Sequence, residues 1–357
     1  MKSLHLFWIA VALTIGTSTQ SCTKSSATEI LSDGVTIETP TANVRLKAVT
    51  DKIIRVSASP DSKFPDDASL VALPVNEIPE FSVTQTDDSV YLTTSQLKAA
   101  VDKHTGAVTF LDKNGKKILQ ENDESRSFKP ITVEGTGGYT VTQSFLSLDD
   151  NEGIYGLGQH QSNEFNYKGK NEELFQYNTK VSIPFVVSTG NYGILWDSYS
   201  LCRWGNPDDY RQLGNIFTLY DNEGREGALT GIYTDAKGDT MTRQEPMIYF
   251  EHLIRGDLNH VVNLPRDFNF YGSKVVYEGE IEPRESGTFD FIMYYSGYQT
   301  IYIDNKPVVE QRWRTAWNPN SYKFSVNLEK GKRTPIRIEW EPNGGVAYCG
   351  LRVYAPT

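Results

Sequence analysis

The feature that most constrains this chain is a period of two. Ile336, Ile338 and Trp340 alternate with Arg337 and Glu339, and Phe289, Phe291, Met293 and Tyr295 share one face of a single segment. Val275, Tyr277 and Ile281 lie on one side, with Glu278, Glu280 and Glu282 on the other. Successive strand side chains point to opposite faces, so such segments bury one face and wet the other. Nearer the start, Val44, Leu46 and Ala48 alternate with Arg45 and Lys47, and Ile54 and Val56 with Arg55 and Ser57. Gln96 to Asp102 runs to a turn at Thr105-Gly106, Val108 to Leu111 follows, and Asn114-Gly115 reads as a type I′ hairpin turn. No segment carries a helical stripe of useful length, so the chain is all-β, and strands separated by turns at this spacing predict sandwiches.

Length sets the number of cores. The chain has 357 residues, and single cores stop growing at roughly 250–300 residues, so two domains are expected. The turn-rich stretch Asp221 to Gly227 marks the expected boundary, with one domain over 31–226 and the other over 227–357. A formal charge of -10, with lysines and arginines scattered, argues against nucleic acid as a partner. The 20 Tyr, 16 Phe and 6 Trp suit a protein that handles uncharged sugars, although strands are rich in aromatics for their own reasons.

The N-terminus reads as a targeting segment. Lys2 begins a short basic region, Leu4 to Ile15 form an apolar core too short for a stable membrane span, and Ser21 precedes Cys22. A small residue before a cysteine resembles a bacterial lipoprotein cleavage site, which makes residues 1–22 a signal peptide, Cys22 the lipidated residue and 23–30 a tether. The resemblance implies an exported protein anchored to the outer membrane and facing the periplasm. Thr19 stands where such sites favour Leu, so ordinary signal cleavage is the alternative. Cys202 and Cys349 fall in different expected domains and are expected to be free and buried.

Two resemblances cover the rest. Leu97 to Asp102, Thr105-Gly106, Phe110 to Gly115, Tyr155-Gly156-Leu157-Gly158-Gln159, Lys168-Gly169, Tyr177-Asn178, Ser182 to Phe185 and Tyr192 to Ser198 occur in an order that resembles the N-terminal, galactose-mutarotase-like β-sandwich of glycoside hydrolase family 31. Gly227 to Tyr233, Phe268 to Gly272, Ser286 to Phe289, Gly297 to Asn305 and Gly350 to Tyr354 resemble a protective-antigen-type β-sandwich module. The pair resembles the arrangement in bacterial α-xylosidases that trim xyloglucan oligosaccharides, with α-glucosidase as the family alternative. The family's chemistry is implied to sit on a downstream (β/α)8 barrel of roughly 250 residues, which this chain does not show. There, a retaining mechanism needs two carboxyl groups about 5–5.5 Å apart. No catalytic residue and no cofactor is therefore expected in the chain. A free-standing glycan-binding lipoprotein without hydrolytic activity is the rival reading.

Tyr155 to Lys170 is the crowded candidate stretch. Its glycines lack the third glycine and the following helix of a nucleotide loop. The family resemblance implies that Gln159 to Gly169 reaches over a barrel mouth, where Gln159, His160, Asn163 and Lys168 could bond sugar hydroxyls and Phe165 or Tyr167 could stack on a ring. The same residues could equally pack an interdomain seam. Trp313 and Trp317 are placed in a loop, either as an exposed sugar platform or as buried edge residues. Asp304-Asn305 reads as a hairpin turn, Asp208-Asp209 as a solvated loop, and His252, Asp257 and His260 fit no compact zinc pattern.

Overall fold

A computed structural model describes residues 27–61, 63–64, 68–176, 178–251, 268–342 and 348–356. The chain divides into two compact units, one over residues to 148 and the other over 149–357, with residues 69–71 grouped with the second. Cys22, the signal segment and the His252, Asp257 and His260 set lie outside the described residues.

The first unit is three antiparallel sheets in chain order. Strands β1 (Thr28–Leu31), β2 (Gly34–Glu38), β3 (Asn43–Thr50) and β4 (Ile53–Ser59) form the first. The second holds β5 (Ser82–Gln85), β6 (Ser89–Thr93), β7 (Leu97–Asp102), β8 (Val108–Asp112) and β9 (Lys117–Gln120). A hairpin of β10 (Ser127–Val133) and β11 (Thr136–Thr142) is the third. Val35, Ile37, Val44, Leu46 and Ala48 from the first sheet share one core with Val90, Leu92, Ala99, Val101 and Val108 from the second. The alternation at Val44, Leu46 and Ala48 is thus the buried face of β3. Two local expectations change. Thr28 to Ile30, assigned to the tether, belong to strand β1, which pairs along β2. At Asn114-Gly115 only Gly115 has positive φ (82°), so the turn is not type I′. The Asp112 carboxylate, accepting the N–H groups of Asn114 and Lys116, holds the longer turn instead.

The second unit begins with β12 (Ile154–Gln159), β13 (Glu172–Leu174), β14 (Val181–Ser188), β15 (Tyr192–Leu195) and β16 (Cys202–Trp204), arranged as a β12-β14-β15 sheet and a β13-β16 pair. Then come β17 (Arg211–Gln212), the four-residue helix α1 (Leu213–Ile216), β18 (Phe217–Tyr220), β19 (Leu229–Thr234), β20 (Thr240–Glu245) and β21 (Tyr249–Glu251). The long strands are β22 (Lys274–Pro283), β23 (Gly287–Tyr295), β24 (Gly297–Ile303), β25 (Lys306–Arg314), β26 (Asn320–Leu328), β27 (Thr334–Glu341) and β28 (Tyr348–Tyr354). They make two sheets. One runs β17-β28-β23-β26 with β21 also on β28, and the other runs β20-β19-β22-β27-β24-β25 with β18 also on β22.

The alternating faces read in the second half of the sequence are the faces these sheets bury together. Val275, Tyr277 and Ile281, Phe289, Phe291, Met293 and Tyr295, and Ile336, Ile338 and Trp340 all belong to one core. Strands β17 and β18 already pair with β28 and β22, so residues 211–220 are part of these sheets and lie before the expected boundary. The Asp221 to Gly227 stretch is a turn inside the sandwich. Cys349 is buried and Cys202 half-buried, and both are free thiols.

Asp221 holds that turn. Its Oδ1 accepts the N–H groups of Glu223 and Arg225, at 3.0 and 2.8 Å, and its Oδ2 accepts Arg225 Nε at 2.7 Å and Gln244 Nε2 at 3.0 Å. Burial pushes the carboxyl up, but the Arg225 guanidinium and these N–H donors outweigh it and hold Asp221 at about 2. An unfolded Asp titrates near about 3.9. Because the folded value is the lower one, the contribution is complete above about pH 4 and is lost as pH falls towards 2. Asp221→Asn should therefore flatten the acid side of the curve: between pH 4 and 2 the urea midpoint of the unaltered chain should fall more steeply than the variant's, and parallel curves would contradict this.

Candidate functional site

The glycines of the Tyr155 to Lys170 stretch make a β-bulge. Gly156, Leu157 and Gly158 all have positive φ, at 131°, 64° and 93°, and the β12–β14 register shifts between Gly156 and Gly158. A Cβ on Gly156 would lie 2.3 Å from the Phe185 carbonyl oxygen, and one on Gly158 2.1 Å from that of Val181. Only glycine tolerates both the conformation and the close approach. The bulge turns Leu157 into a small core with Tyr167 and Val186.

Beyond the bulge, the side chains divide into two sets. His160 is fully buried as a side chain, and its Nε2 donates to the Leu157 carbonyl at 2.7 Å. Tyr167 is buried, its N–H bonds Ile154 O at 2.7 Å, and its own carbonyl accepts Trp204 Nε1 at 2.9 Å. Burial pushes the Tyr167 phenol up. Asn163 bonds the Lys323 backbone twice, donating to its carbonyl at 2.9 Å and accepting its N–H at 3.2 Å. Lys168 Nζ donates to the Asp149 carbonyl. These four groups are engaged within the protein. Gln159 and Phe165 face solvent, Phe165 at 80% exposure with its ring 5.2 Å from that of Tyr155.

Trp313 and Trp317 separate in the structure. Trp313 lies on β25 and not in a loop, because the 24–25 hairpin continues through Arg314; it pairs across to Tyr298, with ring centroids 6.5 Å apart. Trp317 lies in the following turn. Both are exposed, at 49% and 72%, and Tyr298 is 40% exposed beside them. Asp304-Asn305 is a two-residue turn with φ of 54° and 58°, the type I′ geometry of a tight hairpin. Asp208-Asp209 is exposed as expected, but Asp209 meets Arg203 at 2.7 Å and the Asp208 carbonyl accepts the Tyr354 hydroxyl at 2.6 Å.

Three residues outside the expected set matter. Lys323 Nζ lies 2.9 Å from Glu172 Oε2 with both side chains nearly buried, and also donates to the Asn171 carbonyl. His160 Nδ1 stands 3.8 Å from Glu172 Oε1. Arg314 Nη2 donates to Gln161 Oε1 at 2.6 Å. No sequence signal points to Lys323, because its partners lie about 150 positions away. Tyr298 was findable as the cross-strand neighbour of Trp313. A cleft of about 370 Å³ opens nearby, lined by Phe175, Lys180, Trp204, Tyr294, Asn320 and Tyr348, and none of the expected site residues lines it. Burial pushes the Lys180 ammonium down.

Acid chemistry is not evident among the described carboxylates. Glu121 and Glu245 are buried, and desolvation raises both. Each is committed to an arginine, Glu121 to Arg126 at 2.5 Å and Glu245 to Arg243 at 2.5 Å, and Glu245 also accepts the Tyr233 hydroxyl. Such groups hold strands together. Among the described residues no three His, Cys, Asp or Glu side chains could together hold a metal ion.

The fold and these surfaces define an all-β protein of antiparallel sheets with an outward aromatic patch. Residues 43–204 match the glycosyl hydrolase 31 N-terminal galactose mutarotase-like domain, and the chain carries that domain. An α-xylosidase of Saccharolobus solfataricus is 34% identical over 44% of this chain and 22% of its own length. An uncharacterized family 31 glucosidase of Pseudescherichia vulneris is 39% identical over 21% of this chain and 13% of its own. The crystal structure of a family 31 α-xylosidase from Xanthomonas citri aligns with a TM-score of 0.82 and 38% identity, over 91% of this chain and 35% of that one. The chain thus spans a minor part of each relative.

Because the bulge needs two glycines, Gly158→Ala should cost about 2 kcal/mol or more. Denaturant melts read at Trp204 should show the loss, and an unchanged midpoint would mean that β14 yields to the added methyl.

Proposed function

We propose that this chain is the non-catalytic front portion of an exported retaining α-glycosidase, an α-xylosidase acting on xyloglucan oligosaccharides. The match to the Xanthomonas citri α-xylosidase carries the reading, since coverage of 91% at 38% identity includes the second sandwich as well as the family domain. In this account the second sandwich is the protective-antigen-type module. Gln159 at the end of β12 and Phe165 on the loop after it, with Trp313, Trp317 and Tyr298 on the module, are the outward groups for oligosaccharide. Amides bond sugar hydroxyls, and aromatic faces stack on sugar rings.

The two carboxyl groups of a retaining mechanism belong to a downstream barrel of the same polypeptide. Ile183, Phe185, Val187 and Leu195 turn an apolar face outward from β14 and β15, between 41% and 50% exposed. A face of this kind suits packing against a further domain. The Ser21-Cys22 pair after an apolar segment supports export and a lipid anchor in the outer membrane, facing the periplasm.

The test is product analysis with the full-length enzyme. It should release xylose from xyloglucan oligosaccharides and little glucose from maltose. Glucose release from maltose without xylose release would make it an α-glucosidase, and binding without hydrolysis would make it a glycan-binding lipoprotein.

A further inference from the structure

Strand β26 is an edge strand, paired to β23 and to no other strand among the described residues. An edge leaves backbone N–H and C=O groups unpaired on its open side. At Lys323 that side is closed by a side chain, since the Asn163 amide both donates to the Lys323 carbonyl and accepts the Lys323 N–H. The amide stands in for one residue of a neighbouring strand. The Lys323 side chain then reaches back to the same segment, to the Glu172 carboxylate at 2.9 Å and to the Asn171 carbonyl. Arg314, on the adjoining strand β25, adds its 2.6 Å bond to Gln161. Residues 161, 163, 171 and 172 are therefore all held by two strands of the second sandwich.

We propose that Lys323 is a positioning residue. It latches the 159–172 segment onto the module, so that His160, Asn163 and Tyr167 are spent on internal contacts while Gln159 and Phe165 remain outward. This rests on the reading of that segment as substrate-facing and deepens it: the module acts on substrate by fixing the loop as well as by offering aromatic surface. Glu172 commits the latch, because a buried carboxylate without its ammonium is strongly unfavourable.

Hydrogen–deuterium exchange of the chain tests the latch. Lys323→Met should speed exchange across 159–171 on the order of tenfold while peptides from β24 and β27 stay as they are. Asn163→Ala, a milder change, should do the same to a smaller degree, and Lys323→Arg should restore part of the protection. Unchanged exchange at 159–171 would overturn the latch, as would an equal rise in β24 and β27, which marks a general loss of stability. In the full-length enzyme the Met variant should raise KM for oligosaccharide more than it lowers kcat. Faster exchange with an unchanged KM would overturn the positioning role. Absence of glycosidase activity in the unaltered full-length enzyme would instead count against the proposed function, with the exchange result standing.

Discussion

The second unit is organised by how one sheet edge is closed. Among the described residues β26 pairs with a strand on one side only; Asn163 of the segment following the β12 bulge bonds its open edge, and Asn171 and Glu172 hold the Lys323 side chain. Buried charges persist when they are paired and hydrogen-bonded, and the Lys323–Glu172 pair meets both conditions. That pairing decides which loop residues are available for anything else. The polar groups that look most like sugar ligands, His160 and Asn163, are turned inward, and an apolar ring, Phe165, is left outside.

The bulge sets up this exchange. Three consecutive residues with positive φ reverse the facing of the strand, so that Leu157 enters the small core and the chain leaves β12 towards the module. What looks like a glycine-rich loop is a backbone device, with Gly156 and Gly158 pressed against carbonyls of β14. The glycines serve the sheet geometry.

Much of the fold was legible as alternation. The faces carrying Tyr277, Phe291 and Trp340 are buried as read, because a strand with one apolar face has few other places to go. The start of the second sandwich was not legible, since β17 and β18 have two and four residues, too few to show a period, and the Asp221 turn has the composition of a linker. The Asn114-Gly115 turn misled for a similar reason: the dipeptide permits type I′ geometry, but the Asp112 carboxylate favours a wider turn. At the site, residue types were readable and their partners were not. Nothing local to Asn163 announces Lys323, which lies 160 positions away.

Held through the β26 edge, residues 154–204 and the sandwich from 211 onward should unfold as one cooperative body. Native-state hydrogen exchange across a urea series measures this directly. The account predicts that amides of β12 and β14 merge with those of β23 and β27 into a single unfolding isotherm. Opening of β12 and β14 at clearly lower free energy, with the sandwich still protected, would contradict it.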